Sequence, residues 1–401
     1  MPNRFSLALL ALGTFAIGTD GFVIAGILPR IAGDLRVSQG AAGQLVTVFA
    51  LAYAVGTPLL VAATGRVARR RLLVGALVAF TAANVLAAAA PSYPVLLVAR
   101  IAAALGAALF TGPAAAVAAG LVPAEWRGRA LAVVTSGITI ATALGVPLGT
   151  LIGQTLNWRG TFLLVVAFGA LAALGLLRAL PAVTPPPPAG LRVRVAIAAR
   201  PPVLAALGVI TLAFTGGFTV YTYLAAVLHD AASIDHAALG VMLLIFGLAA
   251  VAGNALGGHA TDHYGPRRTL AAGLAGLTAA LAALGLLTSL SPTPHQFAYA
   301  LAAVAIAVWA IAGWTITPAQ QHRLISFALE APPVVLSLNA SAMYGGIALG
   351  GAIGGLVLTH GSAAPLPFIG AACALSALGL LTVTRHLGAI RTQTREAGAI
   401  G

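Results

Sequence analysis

Charged residues are scarce in this chain of 401 residues: 8 are acidic, 21 are basic, and together they make up 7% of the sequence. A soluble domain carries about 25% charged residues, so this sequence cannot build a surface that faces water. Hydrophobic residues make up 60%, and the mean hydropathy is +1.01. Soluble enzymes, nucleic-acid-binding proteins and disordered proteins are therefore excluded, and the sequence predicts an all-α protein that crosses a membrane several times.

Lysine is absent, so all 21 basic residues are arginines and the P-loop pattern G-x-x-x-x-G-K-[ST] cannot occur. ATP-driven transport by this chain alone is therefore excluded. Cysteine occurs once, as Cys373, which excludes an intramolecular disulfide. No cluster of histidine, cysteine or acidic residues has the spacing of metal ligands, so we expect neither a metal nor another cofactor.

Long apolar blocks alternate with charged or proline-rich breaks, and each block approaches the roughly 20 residues that cross a bilayer. They predict twelve spans with limits near 5–28, 41–63, 72–90, 95–121, 130–153, 160–180, 203–228, 238–257, 269–290, 297–321, 334–359 and 365–387. If successive loops are assigned to alternate faces of the membrane, 17 arginines lie on one face and only Arg30, Arg36 and Arg159 lie on the other. By the positive-inside rule, both termini are expected in the cytoplasm of a bacterial cell, with the chain in the inner membrane.

The chain divides into two sets of six spans. The connection at 181–202 contains four consecutive prolines and three arginines, a stiff composition that does not join the flanking helices. We therefore expect an N-terminal six-helix bundle at 1–180 and a C-terminal bundle with a short cytoplasmic tail at 203–401. Basic loops follow span 2 and span 8, at matching positions of the two halves, a pattern typical of pseudo-symmetric transporters.

One motif occurs in the basic loops at these matching positions, and a second motif occurs in span 5. The second-half loop has the pattern G-x-x-x-D-x-x-G-x-R-R, formed by Gly258, Asp262, Gly265, Arg267 and Arg268. The first-half loop keeps Arg66, Arg70 and Arg71 but has Gly65 in place of the aspartate. Span 5 contains Gly145, Pro147 and Gly149. In these motifs the chain resembles the major facilitator superfamily from about Phe5 to Arg385, and within it the twelve-span drug:proton antiporters and the arabinose (sugar) efflux permeases.

The resemblance implies two pseudo-symmetric six-helix bundles, gating by the basic loops and an antiporter motif in span 5. It also implies a monomer in the lipid bilayer that exports a small lipophilic compound, such as a chloramphenicol-like antibiotic, in exchange for protons by alternating access. An exporter of sugars or other small metabolites is the alternative, and an importing proton symporter is a more distant one. A membrane-embedded enzyme is disfavoured because no nucleophile with a base lies in the spans.

Span 1 departs from the family pattern, in which an acid stands at the position of Gly21. Here the acid is Asp20, one residue earlier, which is about 100° of helix rotation. Asp20 is nevertheless the only acidic residue deep in a predicted span, and an ionisable group in hydrocarbon indicates a function. We expect it to carry the coupling proton.

Arg100 is the basic counterpart of Asp20 within the spans. At 1.5 Å per residue, Asp20 lies about 13 Å below Pro29 and Arg100 about 9 Å below Pro94, so a pairing at similar depth is expected. The alternative is a static ion pair that only orients spans 1 and 4.

Pro147 removes a backbone hydrogen bond and favours a kink, while the flanking glycines let another helix approach. One interpretation is a bend that tightens the seam between the halves and limits proton leak; the other is ordinary helix packing. For the wall of a substrate cavity the candidates are Phe22, Phe214, Phe218, Tyr221, Asn254, Trp314, Asn339 and Tyr344. Anchoring at the membrane interface or contact with lipid explains the aromatic residues equally well.

Overall fold

Apolar helices account for most of the computed structural model, which describes residues 4–181, 190–232, 236–289 and 295–384 and has no strand in these ranges. Twelve helices are long and apolar enough to cross a bilayer, which confirms the predicted number. We number them spans 1 to 12: Arg4–Phe22, Gln39–Ala63, Arg69–Ala88, Tyr93–Gly120, Arg127–Thr155, Trp158–Ala179, Pro201–Tyr221, Ala238–Tyr264, Pro266–Ser289, Phe297–Phe327, Pro332–Leu358 and Leu366–Val383. Shorter helices are Ile24–Asp34, Leu191–Ala198, Leu224–Ala232 and a 3-10 turn at Ala124–Trp126.

Most span limits agree with the predicted ones to within a few residues, and two spans are longer than predicted. Span 8 continues to Tyr264, so Gly258 and Asp262 lie in its last turns and not in a loop. Span 10 continues to Phe327 and takes in Arg323. Charged side chains do not stop a helix near the membrane surface, because a long arginine stem can reach toward the polar region.

Spans 1 and 7, the first of each half, end before the predicted limits. Span 1 stops at Phe22 and Ile24–Asp34 continues after one residue; span 7 stops at Tyr221 and Leu224–Ala232 continues after two. At the first break the Gly26 amide donates to the Val23 carbonyl at 3.0 Å. This hydrogen bond spans three residues, as in a 3-10 helix, and replaces the α-helical bond to the Phe22 carbonyl, which would span four. The Phe22 carbonyl therefore lacks its usual helical donor, and the two halves share a break at matching positions.

The spans pack as two bundles. In the first half, span 1 packs on spans 5 and 6, span 3 on spans 4 and 6, and span 2 on span 4. In the second half, span 7 packs on spans 11 and 12, span 9 on spans 10 and 12, and span 8 on span 10. Between the halves, span 2 packs on span 11 and span 5 on span 8. This is the predicted fold class, two pseudo-symmetric six-helix bundles.

The connection between the halves contains a helix that the proline-rich composition did not predict. Leu191–Ala198 packs against span 2 of the first half and span 11 of the second, with Ile197 buried and Arg194 donating to the Ser337 hydroxyl at 2.8 Å. Span 7 then begins at Pro201. Residues 182–189, with the four prolines, and the tail after residue 384 lie outside the described residues, so the domain limits stay a prediction.

The two halves meet closely on the membrane side where span 2 begins and span 11 ends, which is the arginine-poor side of the molecule. The Tyr223 hydroxyl, at the break after span 7, donates to the Gly351 carbonyl at 2.8 Å and lies 3.5 Å from the Gly40 carbonyl of span 2. A Cβ on Gly40 would lie 2.8 Å from the Gly355 carbonyl oxygen, so the two helices approach through their glycines. This side is therefore closed in the described structure.

Candidate functional site

Asp20 and Arg100 form an ion pair inside the first half, and both side chains are 0% exposed. Arg100 Nη1 lies 2.5 Å from Asp20 Oδ1, and Arg100 Nη2 donates to the Asp20 backbone carbonyl at 3.2 Å. Span 1 places the carboxylate one turn before its break, and span 4 places the guanidinium opposite. A buried pair of this kind is costly to break, because the remaining charge has no water to solvate it.

Aromatic and polar side chains from three further spans enclose the pair. The Phe49 ring of span 2 lies 4.2 Å from Arg100 Cζ, in a cation–π contact. Asn84 of span 3 lies beside the carboxyl group. Tyr344 of span 11 stacks on Tyr53 of span 2 with ring centroids 3.7 Å apart and is close enough to interact electrostatically with both members of the pair. The site therefore reaches the seam between the two halves.

A separate cavity lined by aromatic residues lies between the second half and the break of span 1. Its space amounts to about 540 Å³, including the part that opens to solvent. The lining residues are Phe22, Thr142, Ala213, Phe214, Gly217, Phe218, Tyr221, Phe246, Leu277, Trp309, Gly313, Trp314 and Ile316. Such an apolar wall with few polar groups suits a small lipophilic ligand.

Phe22 joins the cavity to the ion pair, because it lies two residues after Asp20. Its ring contacts Phe218, Tyr221 and Trp314, with centroids 5.9, 6.3 and 6.4 Å away. Its backbone carbonyl, left without a helical donor by the break, accepts a hydrogen bond from the Tyr221 hydroxyl at 3.3 Å. Span 1 of the first half is thus held to span 7 of the second at the cavity wall.

The structure brings Phe22, Phe214, Phe218, Tyr221 and Trp314 together in this cavity, and it places the other three candidates elsewhere. Tyr344 lies beside the ion pair. Asn339 is buried in span 11 and Asn254 is half-buried in span 8, and neither lines the cavity.

Span 5 contains a π-helical segment, Ala141–Gly145, which ends two residues before Pro147 of its motif. Gly145 faces span 1 of the same half and Gly149 faces the break after it: a Cβ on Gly145 would lie 3.0 Å from Thr19 Cβ, and one on Gly149 would lie 2.7 Å from Val23 Cγ2. The π segment instead meets the second half, where the backbone of Thr142 and Ala143 packs on Gly247 of span 8. Gly145 and Gly149 therefore pack span 5 within its half, whereas Thr142 and Ala143 of the π segment contribute to the seam with span 8.

The loop residues of the two motifs lie at the arginine-rich ends of the spans. Gly265 has φ +84°, a conformation that favours glycine and separates the end of span 8 from Pro266 at the start of span 9. Arg70 donates to the Leu177 carbonyl of span 6 in its own half. The exposed members of the set are Arg66, Arg71, Asp262, Arg267 and Arg268. No hydrogen bond or ion pair from these five to the opposite half occurs in the described part of the chain, so gating by these residues stays a prediction.

Among the aromatic and polar residues of the site, six were not found from the sequence: Phe49, Tyr53, Asn84, Thr142, Phe246 and Trp309. Asn84 carried the clearest signal, because it is an amide inside an apolar span, where polar side chains are few. The others are common residue types in apolar helices, and only tertiary packing shows which of them face the site.

Comparison with known proteins agrees with this architecture. The model of the Major Facilitator Superfamily matches residues 10–328. The inner membrane transport protein YdhP of Escherichia coli strain K12 is 35% identical and covers 90% of each chain. The chloramphenicol resistance protein of Streptomyces lividans is 36% identical over 90% of this chain and 91% of its own. A probable sugar efflux transporter of Mannheimia succiniciproducens is 29% identical over 92% and 90%.

A solved structure has the same fold. It is the crystal structure of a bacterial homolog of the human lysosomal transporter Spinster, which covers 98% of this chain and 97% of its own with a TM-score of 0.67 at 18% identity. Two pseudo-symmetric six-span bundles are an architecture typical of membrane transporters. The chain belongs to the Major Facilitator Superfamily. The family and these relatives point to transport rather than to an enzymatic reaction.

Proposed function

We propose that the protein exports small lipophilic compounds in exchange for protons across a bacterial inner membrane, with both termini in the cytoplasm. The observation that carries this proposal is the fully buried pair of Asp20 and Arg100, two residues along the chain from the aromatic cavity wall at Phe22. The proton gradient supplies the energy, and no cofactor takes part.

Asp20 suits a proton carrier because its surroundings can change the balance between its two forms. Burial favours the neutral form of a carboxyl group, whereas a neighbouring guanidinium favours the charged form. Rocking of the two bundles changes both influences at Asp20, because spans 2 and 11 bring Phe49 and Tyr344 against the pair from opposite halves. Asp20 takes a proton when the arginine-poor side is open and releases it to the cytoplasm when that side is closed.

Phe22 supplies the mechanical connection between proton and substrate. A ligand in the aromatic cavity pushes on the ring of Phe22 and on the Tyr221 hydroxyl that holds the Phe22 carbonyl. A shift of this break moves the last turn of span 1, which contains Asp20. Bound substrate and a proton on Asp20 then exclude each other in the same state, which is the requirement for exchange.

Transport into inverted membrane vesicles tests the proposal. Wild-type vesicles are expected to accumulate chloramphenicol or a lipophilic dye, and a protonophore is expected to abolish the accumulation. Asp20→Asn is expected to lose accumulation against the gradient, whereas Asp34→Asn, the same change at an exposed position of the next helix, is expected to keep it. If a protonophore does not reduce the accumulation, proton coupling is contradicted. If Asp20→Asn transports normally, the ion pair of Asp20 and Arg100 has only a structural role.

Export of a sugar is the second candidate, and buried polar atoms in the second half favour it. Thr317 Oγ1, Gln320 Oε1, Asn339 Oδ1 and Ser341 Oγ have no hydrogen-bond partner among the described residues. Hydroxyl groups of a sugar could satisfy such atoms on spans 10 and 11. Competition by arabinose and other small sugars in the same vesicles separates the candidates: inhibition of dye uptake favours the sugar exporter, and no inhibition favours the lipophilic substrate.

A further inference from the structure

One buried polar group on the wall of the aromatic cavity has no hydrogen-bond partner. Trp309 of span 10 is 4% exposed, and its ring packs edge-on against Phe246 and Tyr221, with centroids 5.1 and 6.3 Å away. Its indole Nε1 has no acceptor within the described ranges. A buried indole N–H can only donate, and it usually finds a partner. The unpaired N–H of Trp309 therefore requires an explanation.

Two glycines leave space along the edge of the ring that carries this N–H. A Cβ on Gly217 of span 7 would have Trp309 Nε1 as its nearest neighbour, at 3.4 Å. A Cβ on Gly313, one turn after Trp309 in span 10, would lie 3.9 Å from Trp309 Cδ1, on the same edge of the indole. Both glycines line the cavity. A larger residue at either position would narrow the space between the cavity and the N–H.

The other polar side chains of the wall leave less for a ligand to bind. Both hydroxyl groups already donate, Thr142 to the Thr139 carbonyl at 2.7 Å and Tyr221 to the Phe22 carbonyl at 3.3 Å. Trp314 is half-buried, so water reaches its indole more readily. Among the described residues that line the cavity, none is charged. The cavity therefore offers a ligand a hydrogen-bond donor and no ionic partner.

We propose that Trp309 determines substrate specificity by donating a hydrogen bond from Nε1 to an acceptor oxygen, such as that of a ketone or an amide, in a neutral lipophilic substrate. This inference rests on the proposed export of lipophilic compounds and specifies their chemistry. A charged ligand is disfavoured, because it would lose its water without gaining an ionic partner. A hydrocarbon of the same shape would gain the apolar contacts but leave the N–H unpaired.

Two probes that differ in one oxygen test the proposal. Fluorenone and fluorene are flat, neutral molecules of nearly equal size, and only fluorenone has a carbonyl oxygen. Equilibrium dialysis of the purified full-length protein in detergent gives a Kd for each probe. The ratio of the two Kd values is compared among variants, so that partition into detergent cancels. One neutral hydrogen bond corresponds to a preference of about three- to tenfold for fluorenone.

Two variants remove the hydrogen bond in different ways. Trp309→Phe keeps an aromatic ring without the N–H, and it is expected to lose the preference for fluorenone. Gly217→Ala keeps the indole but places a methyl group in front of Nε1, and it is expected to lose the same preference. The matched controls are Trp158→Phe, at an indole that donates to Asp34, and Gly208→Ala, at a glycine of span 7 outside the cavity wall. Both controls are expected to keep the wild-type ratio.

The infrared C=O stretch of bound fluorenone is the second readout. A hydrogen bond lowers its frequency, so the band is expected at lower frequency in the wild type than in Trp309→Phe. A wild-type Kd ratio in Trp309→Phe would overturn the proposal, even if the affinity for both probes fell, because Trp309 would then only pack the wall. A ratio lost in Trp314→Phe but kept in Trp309→Phe would likewise overturn it. Should Trp309→Phe not fold, a wild-type ratio in Gly217→Ala is the contradicting result.

Binding and transport together separate this inference from the proposed function. If transport proves insensitive to a protonophore, proton coupling fails, but the Kd ratio still reports the role of Trp309. If the wild type binds neither probe, the lipophilic substrate class fails, and this inference fails with it. If the wild type binds both probes and Trp309→Phe leaves their ratio unchanged, only the role of Trp309 fails.

Discussion

At the scale of single residues, the rarity of charge in an apolar chain identified the most informative position. Asp20 and Arg100 were predictable as a pair because each is the lone charge of its sign deep in the predicted spans, at similar depth. Their neighbours Phe49 and Asn84 were not predictable, since they come from other helices and no spacing in the sequence relates them to the pair. Ionisable residues inside apolar spans can therefore be recognised from the sequence, whereas the side chains that pack around them cannot.

Replacing Arg100 is expected to lower the free energy of unfolding more than replacing Asp20. Arg100→Leu leaves the Asp20 carboxyl group without a cation, and breaking a buried pair in this way costs about 3–5 kcal/mol. Asp20→Asn leaves Arg100 with the backbone carbonyl and the Phe49 ring, so a smaller loss is expected. Thermal unfolding of both variants in detergent measures the difference, and a larger loss in Asp20→Asn would contradict this account of how Arg100 is held.

The aromatic cavity gives a second prediction at this scale. Phe218→Ala removes a ring that contacts Phe22 and Tyr221, and burying a phenylalanine side chain is worth about 1.5–3 kcal/mol. We expect the affinity for a lipophilic substrate to fall by about tenfold or more, which corresponds to about 1.4 kcal/mol. Phe297→Ala is the control, because that ring lies on the same kind of helix but is 67% exposed. Equal losses in the two variants would argue against the cavity as the binding site.

At the scale of helices, apolar block length predicted the spans, and the breaks in spans 1 and 7 were missed. Nothing in the residues at 22–24 or 221–224 marks a break as glycine or proline would, so the apolar run was extended through it. The interruptions arise from packing, since Tyr221 bonds to the Phe22 carbonyl and Tyr223 to Gly351. The π segment of span 5 was missed for the same reason, and the kink expected at Pro147 stays a prediction.

The helix after the first break is fixed to span 6 by a polar contact that gives a pH-dependent prediction. Asp34 Oδ2 accepts from Arg159 Nη1 at 2.6 Å and from Trp158 Nε1 at 2.9 Å. The hydrogen bond from Arg159, followed by that from Trp158, lowers the pKa of Asp34 from its ordinary value. A folded-state pKa below the unfolded one stabilises the protein above the unfolded pKa, and that stability is lost as the pH falls through the folded value.

Asp34→Asn is therefore expected to lower the thermal stability at neutral pH, by no more than about 1 kcal/mol because the pair is partly exposed. The deficit is expected to shrink as the pH falls below about 4, the ordinary range of an aspartate pKa, and to disappear only below the lowered pKa of Asp34 in the folded protein. Unfolding temperatures of the two proteins across this range measure the effect. A deficit of the same size at every pH would show that the charge of Asp34 does not matter.

At the scale of the whole molecule, the duplication and the basic loops predicted two halves, and only the structure shows how they meet. Spans 2 and 11 close the arginine-poor side through glycines, and spans 5 and 8 meet at the π segment. The duplicated breaks are symmetric, but the charges are not: the turn before the break holds Asp20 in the first half and the buried Thr219 in the second. The buried ion pair therefore belongs to one half and the aromatic cavity mainly to the other.

Locking the closed side is expected to stop transport. A Cβ on Gly351 would lie 3.7 Å from the Cβ of Thr47, a separation that suits a disulfide. In a Cys373→Ser background, Thr47→Cys combined with Gly351→Cys is expected to crosslink under oxidation and to lose transport, and a reductant is expected to restore it. Each single cysteine variant serves as the control. Undiminished transport by the crosslinked protein would mean that this side need not open.

The central claim is that substrate binding and the proton on Asp20 exclude each other. Proton release on substrate binding tests it most directly, measured with a pH indicator in a weakly buffered solution of the purified protein. The wild type is expected to release protons when chloramphenicol or another transported compound is added, and Asp20→Asn is expected to bind the compound without releasing any. Equal release by the two proteins, or binding by the wild type without release, would contradict the claim.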